Sequence, residues 1–482
     1  MRTIIMALAA LILSTGFVLA EDLSKPRAFQ GSYWYIIDHV VDVAPDAEVT
    51  LLLVVPDDFG QQTISLSNIV PSPDRVVTDP DHGNKIVIWK VKPQPGEEQI
   101  FFRFDFTGRA HIRKTDVDPE LVEATDRKSD LWRTYTRNET WIETGGAVAA
   151  KAAAIVGDRT NPYFQARAIF DWMIESLEFV PGGTDDRGAA KTLATLKGDC
   201  GQYSHLFIAL CRSLGIPART ITNVWFDGGV HCYAEFHVEP YGWIPADVSA
   251  AQALVPGHTL FDQTDRKAFR LLRGIGSEDP FWLFGNLYRN QMTLTVGNNI
   301  EIPALGGRVP AVYTAMRPGG ADASPEAIVI KGLNDDVIHG GFFVFDRKID
   351  QEQALQIIHQ KLANQFFSAG LVDAVEDGCF MAQQEFSDGV MTWMNLGRVN
   401  LHKKNYSRAE ACFLRAINEA TVSRSEKLES MIWAHNYLGN CYDLMGRRER
   451  ALAEYQVVLN MGIDYRGSLA YAVQYLAKPF ED

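Results

Sequence analysis

Three residues of this 482-residue chain, Cys200, His231 and Asp247, have the types and order that nucleophilic catalysis needs. A cysteine attacks as its thiolate, so it needs surroundings that lower its pKa. In the segment LKGDCGQYSHLFIALCRSLGIPAR, Cys200, Tyr203, Phe207, Leu210 and Leu214 recur at helical spacing on one face. The pattern predicts a buried helix with Cys200 in its first turn and a stop at Gly215-Ile216-Pro217. A helix N-terminus carries about half a positive charge. That charge favours thiolate, and the free N–H groups beside it can stabilise an oxyanion. The thiolate then needs a base, and the base needs a third group to orient it. In HCYAEFHVEPYGWIPAD, the residues Pro240, Tyr241 and Gly242 read as the turn of a strand pair. His231 and Asp247 lie almost symmetrically about that turn, so they are expected to meet across the pair, the carboxylate fixing the imidazole tautomer.

The elements that position these groups follow from periodicity. Along the first hairpin strand, His231, Tyr233 and Glu235 share one face, while Cys232, Ala234, Phe236 and Val238 share the other, which reads as core. Helical segments over 147–157 and 163–177 precede the cysteine helix, and strand-like runs cover 219–225, 231–239 and 243–247, with more at 328–330 and 342–345. Before them, from Gly31 to about Gly108, the period is two. Ile100, Phe102, Phe104 and Phe106 oppose Arg103 and Asp105, Leu51, Leu53 and Val55 repeat the theme, and turn clusters such as Pro71-Ser72-Pro73 separate the runs. This predicts antiparallel strands forming a small β-sandwich.

The last 130 residues are helical and fit a 34-residue register. A repeat from Val390 places Leu396, Gly397, Ala409, Phe413 and Ala416 at positions 7, 8, 20, 24 and 27. A second from Ile432 places Leu438, Gly439, Ala451 and Tyr455 at 7, 8, 20 and 24. This is the tetratricopeptide pattern, in which small residues let two helices cross closely and an aromatic fills the gap. A degenerate copy from Gln356 fits through Leu362, Ala363, Phe366, Gly370 and Ala382. The expected order is a leader over 1–20, a β-sandwich over 21–125, an α+β core over 126–350 and repeats over 351–482, hence a multidomain α+β chain.

GDCGQYSHLFIALCRSLGIPAR followed by HCYAEFHVEPYGWIPADVS resembles the transglutaminase-like core of the papain-like cysteine enzymes. The resemblance is good over about 143–250, extends through FGNLYRNQMTLTVGNNIEIP to about 320, and includes a β domain ahead of the core. It implies Cys200 as nucleophile, His231 as general base and acid, and Asp247 as orienter. It also implies attack on peptide or side-chain amides through a thioester, with water as acceptor in a protease or amidase and an amine in a crosslinking acyltransferase. Hydrolysis is the favoured expectation; the rival is a catalytically silent scaffold that recruits a partner. An aromatic is more usual at the position of Cys232, a departure expected to alter packing only.

Composition sets the remaining bounds. The first 20 residues, MRTIIMALAALILSTGFVLA, have the layout of a cleaved secretory signal, and their apolar stretch is short for the roughly 20 residues of a membrane span. The expected location is therefore periplasmic or extracellular. A net charge of −14 without a basic run argues against nucleic acid as a partner. No acidic loop has calcium-ligand spacing and no cysteine pair has metal spacing, so neither metal nor cofactor is expected. The expected partners are a protein or peptide substrate and a protein on the repeats. Cys211 and His205 read as structural, Asp199 as a residue that points to solvent or caps the helix, and Cys379, Cys412 and Cys441 as thiols whose pairing spacing cannot decide.

Overall fold

Alternating side chains build the first two layers. In the computed structural model, β1 (Arg27–Asp38), β2 (Glu48–Val55), β3 (Gln62–Val70), β4 (Arg75–Thr78), β5 (Lys85–Val91) and β6 (Gln99–Ala110) divide between two antiparallel sheets. The structure describes residues 23–481 apart from 41–42, 181–186, 227–228, 257–262, 303–306, 310–327, 334–336, 386–388, 424–427 and 466. The leader expected over 1–20 lies outside the described residues. Tyr33, Tyr35, Ile37, Leu51, Leu53, Trp89, Phe102, Phe104 and Phe106 bury between the sheets, as the period-two reading requires. Each such burial stabilises the fold by roughly 1.5–3 kcal/mol.

The chain then crosses to the core. Helices α1 (Gly146–Val156), α2 (Pro162–Ser176) and α3 (Cys200–Ser213) are followed by strands β7 (Ala218–Trp225), β8 (Val230–Val238) and β9 (Gly242–Ala246). A short helix α4 (Val248–Leu254) and strand β10 (Gln291–Val296) complete it, with the sheet order β9-β8-β7-β10. α3 is buried along nearly its whole length, and Phe207 packs on Phe236 from the face of β8 that the alternation assigned to core. The opposite face meets the sandwich. Val224, Met292 and Leu294 join the sandwich's apolar cluster, and the buried Glu235 accepts from Arg219 and from Arg113 in the crossing segment. A buried carboxylate is tolerable only when paired and hydrogen-bonded, so this contact fastens core to sandwich.

Two further strands return. β11 (Ile328–Lys331) pairs with β2, and β12 (Ile338–Phe345) pairs with β1. The sandwich sheets therefore run β12-β1-β6-β3 and β11-β2-β5-β4, and the core is an insertion between strands of the sandwich. The span expected for the core, 126–350, thus includes two sandwich strands. Alternation reveals that a segment is a strand but says nothing about which distant strand it joins.

The repeats begin immediately after β12. They comprise α5 (Gln351–Lys361), α6 (Ala363–Ser368), α7 (Val372–Glu385), α8 (Gly389–His402), α9 (Tyr406–Ser423), α10 (Leu428–Leu444), α11 (Arg448–Met461) and α12 (Ser468–Ala477). In the copy read from Gln356, the first helix is broken at Leu362 into α5 and α6. A Cβ on Gly397 would overlap the Phe413 ring, and one on Gly439 the Tyr455 ring, the close crossing that the register predicted. Ala354, Ile357 and Ile358 of α5 pack with Trp34, Ile36, Phe342 and Val344 on the outer face of the β1 sheet. The His359 Nε2 to Asp38 Oδ2 contact of 2.6 Å ties the same surfaces. Among the described residues no helix is long and apolar enough to cross a membrane.

Candidate active site

Asp199 starts the cysteine helix. Its carboxylate accepts from the Gln202 N–H at 3.0 Å, while Gln202 Oε1 accepts from the Asp199 N–H at 3.1 Å, a reciprocal capping box. That cap makes Cys200 the first helical residue. Asp199 next to a thiolate would be unfavourable if unpaired, but Arg187 donates to both its oxygens at 2.9 Å. Of the two roles expected for Asp199, solvent-facing or capping, the cap is the one observed, with Arg187 as a partner that the sequence did not point to.

His231 is the second residue of β8, and its Nε2 lies 2.8 Å from Asp247 Oδ2. Ala234 pairs with Ala246, so continuing the register by one would set Asp247 opposite Tyr233. The His231 contact is diagonal. It forms because Asp247 leaves β9 as the N-cap of α4, its Oδ1 accepting from the Ala250 N–H at 3.1 Å. The other imidazole nitrogen is left free of Asp247, and Cys200 lies near enough to help raise the His231 pKa. The three residues separated in sequence by 31 and 16 positions therefore meet.

Two aromatic residues that sequence reasoning missed close a ring around the imidazole. Tyr288 Oη donates to Asp247 Oδ2 at 2.9 Å and accepts from Trp225 Nε1 at 3.0 Å. Trp225 in turn stacks on His231, with ring centroids 4.3 Å apart and planes 20° from parallel. The Arg273 guanidinium lies 3.7 Å from the Trp225 ring centroid. Trp225 ends a strand read correctly, yet nothing in the pattern pointed it at His231. Tyr288 arrives from 41 residues beyond Asp247 and carries no local signal.

The electrostatics join four groups. Burial works against a charged imidazole, but the Asp247 carboxylate and a Cys200 thiolate outweigh it and lift His231 to about 10. Cys200 and Cys232 share a side-chain hydrogen bond. As its donor Cys200 is held well above the usual thiol range, with burial adding to the effect, while Cys232 as acceptor is drawn down. His231 pulls Cys200 the other way through charge and hydrogen bond, and so does the helix terminus. Cys232 was expected to affect packing only. Its contact with the nucleophile corrects that expectation, because a residue assigned to core by alternation still reaches the helix terminus packed on that core.

The remaining candidates lie outside this constellation. His205 is buried with both ring nitrogens unpartnered, and burial first, then Arg187, pushes it down to about 3, so it is neutral. Burial pushes the Cys211 thiol up. All six cysteines are free thiols, Cys379 and Cys412 packing in one apolar cluster and Cys441 donating to the Tyr406 carbonyl at 3.3 Å. A surface cleft lined by Gln30, Asp58, Thr63, Ser65 and Arg109 belongs to the sandwich and contains none of the three catalytic candidates.

Residues 149–248, which contain Cys200, His231 and Asp247, match the model of the transglutaminase-like superfamily, and residues 390–462 match a tetratricopeptide repeat model. An uncharacterized protein of Haemophilus influenzae is 31% identical over 142 residues, a match covering 23% of this chain and 38% of that relative's length. Among solved structures, a candidate cysteine protease from Cytophaga hutchinsonii aligns at 17% identity and a TM-score of 0.38, covering 66% of this chain and 98% of its own. A candidate protease from Parabacteroides distasonis aligns at 12% identity and a TM-score of 0.19, covering 43% and 41%.

Proposed function

We propose that this protein is an exported transglutaminase-like cysteine enzyme that attacks peptide or side-chain amides through Cys200. The observation that carries the reading is the His231 Nε2 to Asp247 Oδ2 contact of 2.8 Å beside a cysteine at a helix start. In this reading the thiolate adds to the amide carbonyl, and the Cys200 N–H at the helix terminus helps hold the oxyanion. His231 then gives its proton to the departing amine, leaving a thioester. Water, deprotonated by His231, releases the acid and restores the thiol. An amine in place of water would transfer the acyl group instead. Hydrolysis is the reaction we favour over crosslinking. The repeats, joined to the sandwich rather than to the catalytic sheet, would present the protein or peptide that the site acts on.

One observation favours the rival, a silent scaffold: the proton shared with Cys232, together with burial, opposes thiolate formation. The test is to incubate the full chain, and its Cys200→Ala variant, with a denatured protein substrate and a labelled primary amine. New termini or released ammonia, lost in the variant, support hydrolysis; labelled protein supports transfer. Neither product from the wild type, while both proteins bind the same partner, overturns the enzyme reading.

A further inference from the structure

The Asp247 carboxylate holds more donors than the orientation of one imidazole needs. Its Oδ1 accepts from the Ala250 N–H at 3.1 Å and from Ser249 Oγ at 3.4 Å, while Oδ2 accepts from His231 Nε2 at 2.8 Å and from Tyr288 Oη at 2.9 Å. An ionised carboxylate offers about four lone-pair positions, so this one is filled and its plane is fixed. The Tyr288 proton has one direction open to it. The Trp225 indole N–H can only donate and reaches Tyr288 Oη at 3.0 Å, so the hydroxyl accepts there and gives its own proton to Asp247. Tyr288 is fully buried just ahead of β10. A phenylalanine would fill the same space without desolvating a hydroxyl, so the hydrogen bond is what the tyrosine adds. Trp225 also meets the imidazole through its ring. The His231 ring centroid lies 4.3 Å from that of Trp225 and the Arg273 guanidinium carbon 3.7 Å, too close for both to share a face, so the indole is held between them. Its backbone N–H donates to the Gly229 carbonyl at 2.8 Å. The contacts close on themselves: Trp225 to Tyr288 to Asp247 to His231, and back to Trp225.

We propose that Tyr288, braced by Trp225, is a positioning residue for the reaction proposed at Cys200: it fixes the His231–Asp247 pair and takes up part of the accepting power of the oxygen that holds the imidazole. The inference rests on the reading of Cys200 and His231 as the reacting pair. Two donors on one oxygen compete, and the stabilisation that oxygen gives an imidazolium falls when a second proton is directed at it. The indole N–H sharpens the competition, because a hydroxyl that accepts a hydrogen bond donates a stronger one. Bonded to Asp247 alone, the imidazolium would keep its proton to higher pH and be a weaker acid toward a departing amine. A general acid or base works best with its pKa near the operating pH, and Tyr288 moves the imidazole in that direction. The charged and titratable groups facing the imidazole are Asp247 at the start of α4, Tyr288 ahead of β10, Cys200 at the start of α3 and, across the indole, Arg273.

The test uses the full chain, isotope-labelled at histidine, with Tyr288→Phe, Trp225→Phe and Trp225→Leu as companions and His231→Ala to assign the imidazole signal. The His231 resonances are followed by NMR across the neutral and alkaline range, and thermal unfolding of each protein is measured beside them. Tyr288→Phe should move the His231 titration upward. Trp225→Phe should move it upward by less, because the hydroxyl remains but loses the donor behind it. Trp225→Leu should in addition remove the upfield ring-current shift of the imidazole protons. The two positions are changed separately, so a chain that does not fold with one change is judged by the other. A purely structural tyrosine would lower the unfolding temperature and leave the titration in place; that result, or a downward move, overturns this inference alone. Iodoacetamide labelling of Cys200 in the wild type and in His231→Ala keeps the underlying reading separate. A Cys200 that labels no faster than the other five cysteines, and no differently in that variant, overturns the reading and this inference with it.

Discussion

At the residue scale the site depends on one proton held by His231. The folded pKa of about 10 exceeds the ordinary imidazole value of 6.5. Its contribution to stability is therefore fully present below about pH 6.5 and is lost as pH rises through about 10. Asp247→Asn should abolish that dependence, so urea midpoints for the variant should change less than wild-type midpoints between pH 7 and 10. Any turnover should fall above about pH 10 in the wild type and nearer the ordinary imidazole value in the variant. Tyr288→Phe removes the hydroxyl that donates to the Asp247 carboxylate. A hydrogen bond to a charged group contributes about 1.5–3 kcal/mol, a loss that denaturant unfolding would register. Cys200, His231 and Asp247 were legible because a helix start and a hairpin turn fix their geometry locally. Trp225, Tyr288, Arg187 and the role of Cys232 were not, since each depends on how two separately readable elements pack.

At the element scale, close helix crossings and caps decide the outcome. Gly397→Ala puts a methyl group into the Phe413 ring, and overpacking of this kind costs about 1–3 kcal/mol. The thermal unfolding of the repeats should report it. Combining it with Phe413→Leu should cost less than the two changes added, because the smaller side chain leaves room for the methyl. The Asp199 cap should matter more than an isolated one. Asp199→Ala loses a capping interaction of about 1 kcal/mol together with the ion pair to Arg187, which is largely buried with it. The 34-residue register was readable because the repeat is local, each glycine meeting an aromatic one helix away. The break at Leu362 was not, because it occurs where the first helices bend onto the outer face of the β1 sheet, a contact set by Trp34 and Phe342.

At the scale of the whole molecule the α+β core interrupts the sandwich, and that topology has consequences. A chain ending at residue 350 keeps β11 and β12 and should retain Cys200 labelling, while exposing Trp34, Ile36 and Phe342 and so aggregating more readily. A chain ending at residue 327 leaves β1 and β2 as unpaired edges, and limited proteolysis should show its sandwich cut throughout. Both returning strands were visible as strand-like runs, but their partners lie 277 to 314 residues earlier, beyond the reach of any periodicity. The central claim concerns the intact chain: fold, helix start and hairpin together arm Cys200. The most direct measurement is the pH dependence of iodoacetamide labelling at Cys200, read by mass spectrometry beside the other five cysteines and beside His231→Ala. The account predicts labelling at Cys200 that is faster than at any other cysteine at the same pH, and lost in the variant. Labelling that is slow in the folded chain and unchanged by His231→Ala would contradict it.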